Sequence, residues 1–176
     1  NFQRRKNIKR QMILLETYKL KDQGIQLAKE TFALDPFLAE IVSEMTPIAN
    51  KSNIKINYKP VDNLTVNADP IQLCRVIKNL ISNAIDHSNT QKDIEIVVNS
   101  AQNHTLISVI DYGQGIGEKE LKMIFNKYYS AAKKLRKVGT GLGLYLAQQI
   151  ALAHGGEIIV TSEENVRTEF CVKIPR

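Results

Sequence analysis

Two asparagines, Asn79 and Asn83, stand one helical turn apart in the stretch IKNLISNAIDHS, residues 77–88. Four residues turn a helix by about 400°, so the two carboxamides share a face within about 40°, with Asp86 beside them. Leu73, Ile77, Leu80, Ile81 and Ala84 form an apolar stripe next door. Asparagine is a poor helix former and costly to bury unpaired. A pair of them beside a core therefore asks for a reason other than packing.

A second constellation is DYGQGIG, where Asp111 ends a strand-like run and Gly113, Gly115 and Gly117 alternate after it. A fixed carboxylate there can accept from an exocyclic amine, and the glycines let backbone approach a flat ring. The pattern is neither a dinucleotide-binding G-x-G-x-x-G nor a G-x-x-x-x-G-K-[ST] phosphate loop. Taken alone, a flexible turn after a strand explains it equally well. The third is GTGLGL, Gly139 to Leu144, running directly into a helical pattern. Alternating glycines at a helix start present free N–H groups and the positive end of the dipole, a cradle for phosphate. An ordinary glycine-rich helix start is its plainer alternative. Between the two loops Lys127, Lys133, Lys134, Arg136 and Lys137 could screen a triphosphate or simply form a solvated charge run. A long stretch with so little periodicity inside a compact domain also suits a lid over a ligand.

The elements that must position these groups can be read from periodicity and breakers. Residues 2 to about 23 lack Gly and Pro and carry apolar residues at helical spacing, giving an amphipathic helix. Asp35 followed by Pro36 reads as a capped helix start, with FLAEIVSEMTPIANKS as the helix. Residues 54–58 alternate as a strand, and Asp69-Pro70 opens the helix that carries the asparagines. Strands follow at 94–98 and 106–111, a short helix near 118–125, a helix closed by Gly155-Gly156, and two last strands, EIIVTS and TEFCVKI. Mixed helices and mostly antiparallel strands give an α/β (α+β) two-layer sandwich. Its sheet has about five strands on three helices, after a helical extension.

The chain has 176 residues, 43% apolar and 24% charged, which is ordinary for one globular domain with an extension. No apolar run approaches the ~18 residues of a membrane span, and no signal peptide is visible. A charged start on Asn1 reads as a piece of something longer. Cys74 and Cys171, far apart, read as reduced buried thiols, and three scattered histidines make no zinc site. The net charge of +6 is concentrated. Residues 1–30 hold eight Lys/Arg against three acids, and residues 119–137 seven against one. No exposed aromatics or reading helix interleave with it, so nucleic acid is not expected as a partner. The second cluster precedes the glycine loop and suits a local anion.

In order along the chain, N-x-x-x-N-A (79–84), D-x-G-x-G-I (111–116), F-x-x-Y (125–128) and G-T-G-L-G-L (139–144) resemble the N, G1, F and G2 boxes of sensor histidine kinases. These boxes belong to the catalytic, ATP-binding domain, which has a Bergerat-type fold. The likeness spans roughly residues 31–176, the expected catalytic domain. Residues 1–30 resemble the end of the family's dimerisation helix. The resemblance implies ATP and Mg²⁺ as cofactors, with Asn83 on the metal and Asn79 assisting at metal and phosphates. It implies Asp111 on the adenine amino group, framed by Gly113, Gly115 and Ile116. Phe125 and Tyr128 would anchor the lid, with Lys127 and Tyr128 near the nucleotide. Gly139, Thr140, Gly141, Leu142, Gly143 and Leu144 would make the phosphate loop.

Two departures stand out. Asp86 takes a position where the family often has a basic residue. His87 either replaces the lost phosphate contact or is an ordinary helix-end polar residue. Asn165 and Arg167 replace glycines before the last strand, a change expected to affect only a hairpin.

The same fold serves ATPases of the gyrase, Hsp90 and MutL group, which carry glutamate where this chain has Asn79. Water attack needs a general base, and asparagine cannot take a proton. Slow hydrolysis and transfer to an acceptor are therefore expected, with Asp86 the one group that could upset this. The acceptor implied is a histidine on a dimerisation hairpin, in an H-[ED]-x-x-[TN]-P context. His87, His104 and His154 are followed by SNT, TLI and GGE and do not fit. His154 reads as part of a helix C-terminus. The expected whole is a homodimeric kinase of a two-component system that phosphorylates a response regulator. This part would be cytoplasmic, tied to a membrane only through regions upstream, and unable to autophosphorylate alone. A gyrase-like ATPase, a degenerate nucleotide-binding scaffold and a basic interaction module are the alternatives.

Overall fold

The computed structural model describes residues 24–88, 92–127 and 142–176. The amphipathic pattern at 2–23, most of the basic stretch, Tyr128 and Gly139 to Gly141 lie outside them. The element order is β1 (Glu30–Ala33), α1 (Leu34–Asn50), β2 (Ile56–Tyr58), β3 (Thr65–Ala68) and α2 (Pro70–His87). Next come β4 (Ile94–Ala101), β5 (His104–Asp111), α3 (Glu118–Leu121), α4 (Gly143–Ala153), β6 (Glu157–Glu163) and β7 (Arg167–Pro175). Five strands form one sheet in the order β2-β4-β5-β7-β6, antiparallel except for the β2–β4 pair.

The core lies between this sheet and the helices. Along β7 burial alternates, with Thr168, Phe170, Val172 and Ile174 inward and Glu169, Cys171 and Lys173 partly exposed, as the pleat requires. Ile94, Ile96, Ile107, Val109 and Ile158 add to the sheet side of the core. Helix α2 answers with Leu73, Val76, Ile77, Leu80, Ile81 and Ala84, and α1 with Leu34, Leu38, Ile41 and Met45. Ala147, Ile150 and Ala151 come from α4. Removing a side chain as buried as Ile81 costs roughly 2–5 kcal/mol. The expected two-layer sandwich is thus built from three long helices and a four-residue one, α3.

Two local expectations change. Helix α1 begins at Leu34, and its N-cap Ala33 makes no side-chain bond. Asp35 sits in the first turn, where its Oδ1 accepts from the Tyr58 hydroxyl at 2.7 Å and the Val61 N–H at 3.2 Å. The carboxylate fastens the β2 end to α1 instead of capping the helix. Burial, with this bond, raises the Tyr58 phenol. The second change is a separate two-stranded sheet, β1 with β3, pairing Glu30 with Ala68 through Ala33 with Thr65. These four-residue strands are too short to show a period of two. Cys74 and Cys171 are free thiols, but half-buried where full burial was expected. Among the described residues no helix is long and apolar enough to cross a membrane.

Candidate functional site

Asp69 starts α2 as expected, its Oδ1 accepting from the Gln72 N–H at 3.0 Å, with Pro70 at the first helical position. The buried stripe then leaves Asn79 and Asn83 half-buried on one flank, while Asp86 is exposed. Asn79 lies against the start of α4. A Cβ placed on Gly143 would collide with Asn79 Oδ1, so glycine here lets the carboxamide lie directly against the start of α4. Asn79 Nδ2 is buried and finds no hydrogen-bond partner among the described residues. An orphaned buried donor costs about 1–3 kcal/mol unless a ligand satisfies it.

That donor points to the chemistry of the opposite wall. The N-cap of α4 is Leu142, which offers no side-chain bond to the first amides. Those N–H groups and the helix dipole favour an anion. Carboxamide oxygens of Asn79 and Asn83 are hard neutral ligands of the kind Mg²⁺ accepts alongside phosphate and water. Among the described residues no cluster of three or more His, Cys, Asp or Glu could hold a metal. A divalent cation on this site would therefore lean on asparagine and on the phosphates themselves.

The other end of the site is built around Asp111, the last residue of β5, which is buried. Its Oδ1 accepts from the Gly113 N–H at 3.0 Å. Burial raises the carboxyl above its ordinary value, and the Gly113 bond and the His87 charge oppose this. A Cβ on Gly113 would run into the backbone oxygen of His87, so the end of α2 presses on this loop. Gly115 has φ +71° and would carry a Cβ 2.6 Å from the Glu163 oxygen, so it is required twice over. His87 reaches the loop too, its Nδ1 3.2 Å from Gln114 Nε2. The structure thus brings His87, the last residue of α2, against the glycine loop.

Two residues, Ser162 and Thr168, escaped the sequence reading. Ser162 Oγ accepts from the Ile116 N–H at 2.9 Å and lies 2.8 Å from Thr168 Oγ1. Thr168 is buried and stands opposite Asp111 in the β5–β7 register. Asn165 takes φ +59°, and its N–H donates to the Gln114 oxygen at 2.9 Å. The hairpin that was expected to vary harmlessly is therefore a buttress of the glycine loop. Asparagine tolerates the left-handed conformation that a glycine would otherwise supply. The signal available in sequence was Asn165 itself, a turn residue between two strands.

Phe125 packs edge-on against Phe170, ring centroids 6.4 Å apart, beside buried Ile124. Lys127 lies 5.9 Å from the centre of the Tyr145 ring, on α4. These contacts fix the near end of the basic stretch on the core. Tyr128, Gly139, Thr140 and Gly141 fall outside the described residues, whereas Leu142 is buried and Gly143 and Leu144 are half-buried.

A buried acid with a glycine loop at one end and a helix N-terminus against Asn79 at the other make a site suited to a nucleotide. Residues 68–176 match the family described as histidine kinase-, DNA gyrase B-, and HSP90-like ATPase, and the chain belongs to that family. Within it the chain corresponds to the ATPase domain of sensor histidine kinases. It is 28% identical over 159 residues to the sensor histidine kinase YvrG of Bacillus subtilis, covering 89% of this chain and 27% of that protein. It is 30% identical over 166 residues to the sensor protein kinase WalK of Staphylococcus haemolyticus, covering 92% and 27%. The chain thus spans about a quarter of the length of these relatives. The catalytic domain of the histidine kinase ThkA superposes with a TM-score of 0.75 at 27% identity, over 85% of this chain and 96% of that one. Full-length ShkA, solved with AMPPNP, has the same fold, with a TM-score of 0.82 at 23% identity over 93% of this chain and 34% of that one.

Proposed function

We propose that this domain binds ATP with Mg²⁺ and passes the γ-phosphate to a histidine on a dimerisation hairpin, for relay to a response regulator. Asp111 takes the adenine amino group on its free oxygen, and Gly113, Gly115 and Ile116 lie along the base. Asn83 ligates the metal, with Asn79 assisting. His87, Lys127 and Tyr128 approach the nucleotide from its rim. The loop from Gly139 to Leu144 and the first turn of α4 hold the phosphates. Mg²⁺, when bound, neutralises phosphate charge and leaves the γ-phosphorus open to attack. The chain's own residues orient the nucleotide and keep water from being activated, because position 79 supplies no base.

The observation that carries this reading is the orphaned Asn79 Nδ2 beside Gly143, buried where a phosphate oxygen would satisfy it. Relatives named as sensor kinases support the transfer step and the two-component partners. The reading extends to a homodimer formed through residues upstream and to a cytoplasmic position for this domain. The test is titration of the chain with Mg-ATP by calorimetry, beside Asp111→Asn. Binding that the substitution removes is the expected result; no binding, or equal binding in both, would sink the assignment.

A further inference from the structure

Helices α2 and α4 are tied together twice. At one end Asn79 abuts Gly143, in the proposed phosphate site. At the other, the Asp69 N–H donates to His154 Nε2 at 2.9 Å, joining the N-cap of α2 to the C-cap of α4. The helices run antiparallel between these ties, and each tie lies about ten residues, roughly 15 Å, from the other.

The far tie also holds the chain as it comes into the domain. Asp69 Oδ2 accepts from the Ala28 N–H at 2.9 Å, and Lys29 Nζ donates to the His154 oxygen at 3.3 Å. His154 is buried, and its Nδ1 lies 2.8 Å from the Ile150 oxygen, so the neutral ring donates there and accepts from Asp69. A helix cap needs one carboxylate oxygen, and Oδ1 already performs that task for Gln72. The second oxygen accepts from the incoming chain, 41 residues away in sequence.

We propose that Asp69 and His154 are positioning residues that couple the docking of residues 28 and 29 to nucleotide binding between α2 and α4. A ligand bridging Asn79 and the start of α4 fixes the separation of the two helices at that end. Rigid helices carry the constraint to the other end, where it tightens the Asp69–His154 bond and the seat of Ala28. By reciprocity, a docked linker improves nucleotide binding. The inference rests on the ATP reading above.

Hydrogen exchange at the Ala28 amide reads the coupling directly in the whole chain. A saturating non-hydrolysable ATP analogue with Mg²⁺ is expected to slow that exchange, and Ala28→Pro, which removes the donor, to weaken the analogue's affinity about fivefold or more. Ala28→Pro leaves the Gln72 cap of α2 intact, so it reads the linker and not helix formation. Asp69→Asn should weaken affinity too, and adding it to Ala28→Pro should weaken it by less than the two effects combined. If the analogue binds while Ala28 exchange and the affinity of Ala28→Pro stay unchanged, the coupling is overturned alone. If the unmodified chain binds no analogue, the ATP reading falls and this inference with it.

Discussion

Asp111 carries a tension that only a ligand resolves. Burial makes its charged form costly, yet the carboxylate accepts from an exocyclic amine more strongly than the neutral acid does. Because its folded pKa is raised, the folded chain holds this proton more tightly than the unfolded one. Ionising Asp111 therefore costs stability as pH rises through the raised value, and nucleotide affinity is lost as pH falls through it. Asp111→Asn should weaken nucleotide binding about ten- to a hundredfold, the worth of a hydrogen bond to a charged group, without lowering the denaturation midpoint of the free chain. His154 has the opposite sign of charge. Burial lowers its pKa, Lys29 adds to this, and the Ile150 oxygen and Asp69 oppose it. The unfolded chain then binds the extra proton first. Stability is full above the ordinary value of 6.5 and is lost as pH falls from there through the folded pKa. Urea midpoints measured on either side of 6.5 should show this loss, and His154→Gln should remove it. That Asp111 ends a strand was legible from the apolar run before it and the glycines after it. Thr168 and Ser162 were not, because a lone hydroxyl in a strand shows its partner only when the sheet sets the register.

At the scale of elements, close approaches decide what each glycine does. Gly143→Ala improves helix propensity by up to about 1 kcal/mol, yet its Cβ would displace Asn79. Nucleotide affinity should fall at least tenfold while stability changes little, an unusual split that calorimetry and thermal melts can read together. Gly113→Ala meets backbone at His87, which cannot rotate away, so it should cost about 1–3 kcal/mol as well as binding. Gly117→Ala meets only the flexible end of Glu164 and should be close to neutral. Equal effects at all three would contradict this geometry. Helix α2 was readable end to end, since Asp69-Pro70 and a continuous apolar stripe agree. Asp35-Pro36 offered the same start signal, but Tyr58, 23 residues later, claimed the carboxylate. Local signals fail where a distant partner competes, and short strands such as β1 and β3 carry too few residues to announce themselves.

For the whole molecule, the question is where the γ-phosphate goes. Asn79 cannot act as a base for water, and Asp86, two turns further along the same face of α2, is exposed to solvent. Hydrolysis should therefore be slow, and Asp86→Ala should leave the slow rate unchanged in a phosphate-release assay. A rate that falls with Asp86 would move the chain toward a gyrase-like ATPase. His154 is the most buried of the three histidines, held at both ring nitrogens, and so is no acceptor. The most direct measurement mixes this chain with a separate histidine-bearing dimerisation hairpin, γ-labelled ATP and Mg²⁺. The expected result is acid-labile label on the hairpin histidine and none on this chain. A hairpin left unlabelled at saturating nucleotide, with the label bound or released as free phosphate, would contradict it.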